Sequence, residues 1–210
     1  METARIAELL RPFTTHTMLS TRMLGQLQLY LDLLLRWNAR VNLTAVREPE
    51  QIITRHFGES LFTAQVLLGN NAAKPHTLAD VGSGAGFPGI PIKLFAPVLT
   101  LTLIESQNKK ATFLREVIRT LQLESAEVFC GRAEHWGKTA DLVTLRAVEQ
   151  SERALPVAAQ LVAPGGRLCL LIGAGQFTTA HDILGAQWTW QEPVAVPQSA
   201  SRVVLVGSHE

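Results

Sequence analysis

The stretch Asp80-Val81-Gly82-Ser83-Gly84-Ala85-Gly86-Phe87-Pro88-Gly89 decides the fold of this chain. An apolar run over 77–81 leads into it, and a helix-forming segment over about 88–95 leads out. Three alternating glycines let a backbone turn sharply and let a ligand approach it closely. Their conformational freedom is costly to order, so a turn without a ligand makes poor use of them. The helix that follows presents unpaired N–H groups and a positive dipole end to a polar or anionic ligand.

Outward from this turn, strands and helices alternate. Strands are expected at Thr77–Val81, Leu99–Ile104, Ala126–Cys130, Asp141–Leu145 and Arg167–Ile172, with helical segments near 88–95, 107–121 and 150–161. A helix-like stretch near 176–185 and β-like runs at 188–196 and Val203–Val206 follow. This alternation predicts an α/β fold with a doubly wound, mostly parallel sheet. The first 70 residues read differently. Leu24, Leu27, Leu31, Leu34 and Leu35 form a helical stripe that continues to Trp37 and Asn38. Pro49 opens another helix, where a missing N–H costs nothing, with Ile52, Ile53, Phe57, Leu61 and Phe62 as its apolar face. Gly69-Asn70-Asn71 ends it. We therefore expect a helical extension over 1–72, packed against a ligand-binding domain over 73–210.

Composition narrows the class. The 210 residues are 47% apolar, with a mean hydropathy of +0.15, which suits an ordered core and excludes disorder. Nineteen basic against eighteen acidic residues leave a net charge of +1, so a nucleic-acid partner has to be held by a local patch. Cys130 and Cys169 are too few for a disulfide framework or a thiolate metal site, and both read as buried thiols. No apolar run approaches the roughly 20 residues a bilayer needs, and the N-terminus lacks a secretory pattern. The expectation is a soluble, cytoplasmic protein.

Two cofactors fit the turn. From Gly84 the residues match G-x-G-x-x-G, the dinucleotide fingerprint, but that register starts three residues past the strand. Read from the strand end, Asp80-x-Gly82-x-Gly84-x-Gly86 resembles the S-adenosylmethionine loop of class I methyltransferases. Glu105 ends the second strand roughly twenty residues on, placed to accept hydrogen bonds from ribose hydroxyls.

Further motifs carry a narrower resemblance. They are Trp37-Asn38-Ala39-Arg40-Val41-Asn42-Leu43-Thr44-Ala45, His56 with Glu59-Ser60-Leu61, the segment from Gly82 to Pro91, Glu105-Ser106-Gln107-Asn108-Lys109-Lys110 with Phe113-Leu114, Arg132-Ala133-Glu134, and Arg146-Ala147-Val148. Together these resemble the bacterial small-subunit ribosomal RNA guanine-N7 methyltransferases, the GidB or RsmG family, over about residues 30 to 170. The resemblance implies the class I methyltransferase fold and S-adenosylmethionine as cofactor. It implies cofactor contacts at Gly82, Gly84, Phe87, Glu105 and Ser106, with Ala133 and Glu134 flanking the adenine and Arg146 bordering the pocket. Each has an alternative: Glu134 as an acid at a helix start, Arg146 as a structural ion pair, Phe87 as core. No catalytic general base and no metal are expected, because guanine N7 carries a free lone pair and needs only placement against the methyl group.

The implied substrate is small-subunit ribosomal RNA or an assembly intermediate of the small subunit, met by a monomer. Candidate RNA contacts are Lys109, Lys110 and Arg115, with Arg119 on the same helix face. A second patch holds Arg40, Asn42 and His56 with Arg36, Arg47 and Arg55. A solvated helix face is the alternative for each run. Trp37 reads as core, and His56 as orienting the substrate rather than transferring a proton. The sequence departs from the family at the end of the fifth strand, where Ile172-Gly173 replaces a common Lys-Gly and leaves the patch one cation poorer; Glu59 replaces an Asp. Two other functions compete: a non-catalytic S-adenosylmethionine-binding regulator, and an NAD-dependent oxidoreductase, for which Tyr30 as the only tyrosine offers no Tyr-x-x-x-Lys site.

Overall fold

The computed structural model describes residues 1–15, 17–69, 72–74, 76–146 and 151–209. Parallel strands β1 (Thr77–Val81), β2 (Thr100–Glu105), β3 (Ala126–Cys130), β4 (Ala140–Arg146) and β5 (Val162–Gly173) form the body of one sheet. They lie in the order β3-β2-β1-β4-β5, followed by β8 (Arg202–Ser208), which runs antiparallel to β5. Two short strands, β6 (Thr189–Trp190) and β7 (Val194–Ala195), both pair with β8. The expected doubly wound, mostly parallel sheet is present. The β-like run at 188–196 breaks into these two pieces, and the fifth strand starts five residues earlier than expected, because Val162 already pairs with Ala140 across a register shift.

Side-chain alternation divides the core between the two faces of the sheet. Leu78, Leu101, Leu103, Leu142 and Leu171 point into one layer. That layer is built from α1 (Thr3–Leu10), α2 (Thr21–Val41), α3 (Pro49–Ile52), α4 (Glu59–Leu68), α5 (Gly89–Phe95) and α6 (Asn108–Leu121). Ala79, Val81, Val143, Leu145 and Leu170 point the other way, against α7 (Ser151–Gln160) and α8 (Phe177–Leu184). Residues from Ile6 to Val206 share the first layer, so the N-terminal helices roof one face of the sheet.

Local sequence explains those helices. Ser20 caps α2, its hydroxyl accepting from the Met23 N–H at 3.2 Å. Leu27, Tyr30, Leu31 and Leu34 bury one stripe of it, while Leu24 and Leu35 are half-buried flanks. Pro49 stands at the first position of α3, as expected. The chain then continues through one widened π turn, Ile53–Gly58, straight into α4. Gly58 is required there: a Cβ would lie 2.6 Å from the Phe13 ring. Gly69 ends α4 at φ +49°, while Asn70 and Asn71 lie outside the described residues. Among the described residues, no helix is long and apolar enough to cross a membrane.

Candidate functional site

In open α/β sheets the ligand crevice lies at the carboxyl ends of the parallel strands, here Val81, Glu105, Cys130, Arg146 and Gly173. The turn after β1 sits in the middle of that edge. Gly82, Gly84 and Gly86 all have positive φ, at 66°, 56° and 90°, a backbone that glycine adopts without strain. They differ in what surrounds them. A Cβ on Gly82 would meet nothing within 4 Å, and one on Gly84 only the Gly82 carbonyl at 3.7 Å. A Cβ on Gly86 would strike the Tyr30 hydroxyl at 2.4 Å and Ile90 at 2.5 Å; on Gly89 it would strike Asp80 and Leu103 below 3.0 Å. Gly82 and Gly84 line open space for a ligand, whereas Gly86 and Gly89 serve packing.

The turn is fastened from three sides. The Ser83 N–H donates to the Ile104 carbonyl (3.0 Å), and the Ser83 hydroxyl to the Asp80 carbonyl (2.7 Å). Buried Asp80 accepts from the Thr144 hydroxyl (2.7 Å) and the Gly89 N–H (3.3 Å). Desolvation pushes its carboxyl up to about 6, against the pull of those donors. Tyr30 reaches in from α2, donating its hydroxyl to the Ala85 carbonyl. Its ring stacks on Phe87 with centroids 5.3 Å apart.

Glu105 is buried at the next strand end. Its carboxylate accepts from the Gly84 N–H (3.0 Å) and the Gln107 N–H (2.8 Å), and each oxygen retains lone-pair capacity for a ligand hydroxyl. The Glu105 carbonyl accepts from the Gly131 N–H (3.1 Å), drawing in the turn after β3. Ala133 and Glu134 stand there in a short 3₁₀ turn, Ala133 half-buried and Glu134 exposed, the latter loosely paired with Arg132 at 3.8 Å. Gly82, Gly84, Glu105, exposed Ser106, Ala133 and Glu134 thus share one end of the sheet. Cys130 lies beside them, half-buried rather than buried, its thiol donating to Asn108 Oδ1 at 3.0 Å. Cys169 is buried as expected, and burial pushes its thiol up to about 12.

Phe87 faces away from the open space. Its ring is 7% exposed and packs among Tyr30, Phe57 and His56, the imidazole stacking on it at 5.0 Å. The Trp37-to-Thr44 motif explains how His56 is held there. Asn38 clamps Thr44 with both ends of its amide, at 2.9 and 3.0 Å to backbone N–H and carbonyl. Asn42 ends α2 in the left-handed region at φ +50°, and Arg47 donates to the Asn42 side chain and to the Asn38 carbonyl. The Thr44 hydroxyl bonds His56 Nε2 at 2.8 Å. Burial, followed by the charges of Arg146 and Arg55, pulls the His56 imidazole down to about 3, so it is neutral at ordinary pH. Asn42 and Arg47 are exposed and bonded to each other, whereas His56 is half-buried against Phe87.

Arg40, Lys109, Arg115 and Arg119 are exposed, and Lys110 is half-buried. Their two helices pack antiparallel. Trp37 donates to Glu116 at 2.9 Å and packs on Phe113, while Gln26 reaches the Leu121 carbonyl at the other end. A surface cleft of about 580 Å³ beside α2 is lined by Arg36, Trp37 and Arg40, with Glu116 as its one residue from α6. The start of α6, with Lys109 and Lys110, follows the strand edge at Glu105.

The opposite side of the edge is cationic. Arg146 donates to Glu59 Oε2 at 3.0 Å and to the Arg55 carbonyl at 2.6 Å. Arg202 meets the other Glu59 oxygen at 2.7 Å. Glu59 is buried, and burial raises its carboxyl against the three nearby arginines. Burial pulls the Arg146 guanidinium down to about 10; Glu59 opposes this and Arg202 adds to it. Ile172-Gly173 ends the fifth strand without a lysine, and Arg202 on β8 stands in register with Gly173. Sequence reading missed Arg202 and Tyr30. The tyrosine had a signal, since a hydroxyl on the apolar stripe of α2 has to find a buried acceptor; an arginine ahead of Val203–Val206 had none.

Among the described residues no cluster of histidine, cysteine and carboxylate side chains could hold a metal. Residues 23–196 match the family described as rRNA small subunit methyltransferase G. A Chloroflexus aggregans protein named ribosomal RNA small subunit methyltransferase G is 37% identical over 202 residues, 90% of this chain and 82% of its own. A Xanthomonas euvesicatoria protein of the same name is 41% identical over 172 residues, covering 80% and 78%. Among solved structures, a ribosomal protein L11 methylase from Lactobacillus delbrueckii superposes with a TM-score of 0.61 at 16% identity, covering 73% of this chain and 80% of that one. Pyrococcus horikoshii TYW2 in complex with MeSAdo gives 0.57 at 16% identity, covering 72% and 61%. At such identities the likeness is one of fold, that of methyltransferases.

Proposed function

The chain belongs to the GidB family of ribosomal RNA small-subunit methyltransferases, and on that premise we propose that it transfers a methyl group from S-adenosylmethionine to N7 of one guanine in small-subunit ribosomal RNA. The observation that carries this reading is the pair of open, positive-φ glycines, Gly82 and Gly84, facing free space beside the buried Glu105 carboxylate. That cradle fits an S-adenosyl nucleoside. The bare backbone at Gly82 and Gly84 admits close approach, Glu105 accepts from ribose hydroxyls, and Ser106, Ala133 and Glu134 border the adenine. Phe87 acts from behind, its ring locking the turn to Tyr30 and His56.

When bound, S-adenosylmethionine supplies an electrophilic methyl group on a cationic sulfur. The N7 lone pair forms the new bond to carbon as the carbon–sulfur bond breaks, its electrons go to sulfur, and the positive charge passes to the guanine. No proton has to move before this step. The protein's task is alignment, and effective-molarity arguments allow roughly 7–11 kcal/mol from that source alone. His56, neutral and stacked, has the character of a positioning group rather than a base. The exposed cations Arg40, Lys109 and Arg115, with half-buried Lys110, give RNA phosphates a short track beside the cofactor edge. A net charge of +1 limits the number of such contacts and predicts a shallow salt dependence.

Incubation with labelled S-adenosylmethionine and small subunits, or with naked ribosomal RNA from a strain lacking the modification, tests this directly. Label at a single guanine, released by chemistry selective for N7-methylguanine, is the expected result. Tight cofactor binding without transfer would replace the reading by that of a regulator.

A further inference from the structure

Buried charge is normally neutralised, because an unpaired ion in a low-dielectric interior costs several kcal/mol. The cluster at the ends of β4, β5 and β8 departs from that rule. One carboxylate, Glu59, serves two guanidiniums, with side-chain exposures of 3% for Glu59, 12% for Arg146 and 28% for Arg202. Arg55 adds a third positive charge near it, and the neutral His56 adds none. Each Glu59 oxygen takes one N–H group. The Arg202 Nε–H is buried and has no hydrogen-bond partner among the described residues. Buried Asp80 also acts on Arg146, so three arginines against two carboxylates leave a surplus of one cation, part of it in an N–H donor already stripped of water.

Position shows what the surplus awaits. Arg202 opens β8 at the same end of the sheet as the glycine turn, in register with Gly173, whose N–H donates to the Gln176 side chain. Between β1 and β8 lie β4 and β5, three strand spacings or roughly 14 Å. That is far for the amino-acid end of a cofactor seated on Gly82. It suits a polymer whose reacting base lies over the ends of β1 and β4 while its backbone continues across β5. The anion such a polymer offers is phosphate, and guanidinium forks match phosphate oxygens in pairs.

We propose that Arg202, held across Glu59 from Arg146, grips a backbone phosphate of the RNA next to the target nucleotide and so sets its register over the cofactor. Glu59 is then an internal stand-in that keeps both guanidiniums aimed while no phosphate is present. This rests on the ribosomal RNA reading above; Arg202 is a positioning residue, since it does not touch the reacting atoms.

The test compares wild type, Arg202→Gln and Arg202→Lys in three measurements: RNA affinity as a function of salt, S-adenosylmethionine affinity, and thermal midpoint. For Arg202→Gln we expect RNA affinity to fall about 10- to 100-fold and the salt slope to shallow by roughly 0.7–0.9, with cofactor affinity unchanged. Arg202→Lys should keep the slope and recover part of the affinity, since it restores charge but not the fork. A lower thermal midpoint with an unchanged salt slope would make Arg202 a structural residue only and overturn the proposal. Loss of cofactor affinity with RNA binding intact would assign the anion to the cofactor's carboxylate and overturn it equally. If the variants do not fold, inorganic phosphate at constant ionic strength should raise the wild-type midpoint, and no rise would count against the site. Failure of the wild type to bind or methylate ribosomal RNA would defeat the functional reading instead, leaving the phosphate-dependent midpoint as the separate judge of the anion seat.

Discussion

At the ends of β1, β2 and β3 the candidate binding groups are two open glycines and one buried carboxylate held by backbone N–H donors of the adjoining turns. At the ends of β4, β5 and β8 they are long side chains, Arg146 and Arg202, steadied by an acid from the helical roof. The first side suits a small molecule that has to be met at fixed distance. Guanidiniums on flexible stems suit a larger, charged partner whose register is to be set. The same contrast separates the glycines within the turn itself, and substitution there gives the largest expected effects. Gly86→Ala drives a methyl into Tyr30 and Ile90 at a positive φ, so overpacking and backbone strain together cost about 3 kcal/mol of stability. Gly82→Val costs about 1–2 kcal/mol from its φ alone, but fills the open space. Cofactor affinity should fall about a hundredfold or more, roughly 2.7 kcal/mol, by calorimetric titration. Unchanged affinity in Gly82→Val would remove the glycine turn as the cofactor seat and, with it, the contrast between the two sides.

This difference also decides what the sequence could disclose. The glycine-turn side was legible because its geometry is written locally: Gly82, Gly84 and Gly86 take positive φ without strain, and the acid follows on the next strand. Four of the first five strands match expectation to within one residue at each end for the same reason, their apolar runs being short and bounded. The cation side was illegible because it is assembled from distant positions. Arg146 and Glu59 are 87 residues apart, and Arg202 joins them only once β8 has turned back along β5. The family resemblance singles out Arg146, but nothing in a +1 chain distinguishes Arg202 from a solvated arginine. The Trp37-to-Thr44 motif lies between these cases. Its residues were visible, but their work, clamping a loop that fixes His56 against Phe87, depends on α2 lying over the sheet.

His56 sits where the two sides meet, and pH can separate their influences. Its imidazole titrates near 3 in the folded state against an ordinary 6.5, so its stabilising contribution is full above about 6.5 and lost as pH falls toward 3, at about 1.4 kcal/mol per unit. Asp80 has the opposite sign. Raised from 3.8 to about 6, it stabilises most below 3.8 and loses that contribution as pH rises through 6. Between about pH 4 and 6 the two oppose each other. His56→Gln removes the first alone, so the stability gap between wild type and variant should narrow by about 2 kcal/mol from pH 6.5 to 5 in denaturant titrations. A gap independent of pH would show that burial and the nearby arginines do not hold His56 neutral. A smaller effect is expected from Tyr30→Phe, which leaves the Ala85 carbonyl without its donor. It should cost about 1–2 kcal/mol and weaken cofactor binding severalfold, whereas intact cofactor affinity would reduce Tyr30 to a packing residue.

The smallest effect on the folded protein should come from the exposed basic face of α6, and it bears on whether the cation side acts alone. Lys109 and Arg115 are exposed, so replacing both by glutamine should change stability by no more than about 0.5 kcal/mol and leave cofactor affinity intact. If they touch RNA phosphates, the salt slope of binding should shallow by roughly 0.7–0.9 for each phosphate no longer neutralised. This change should add to that of Arg202→Gln, because the two sites lie at opposite ends of the strand edge and share no partner. A slope unmoved by the double substitution would leave α6 as an ordinary solvated face and concentrate RNA binding on Arg146 and Arg202. A slope that moves, but not additively, would mean that the two patches compete for the same phosphates, which their separation across the sheet does not allow.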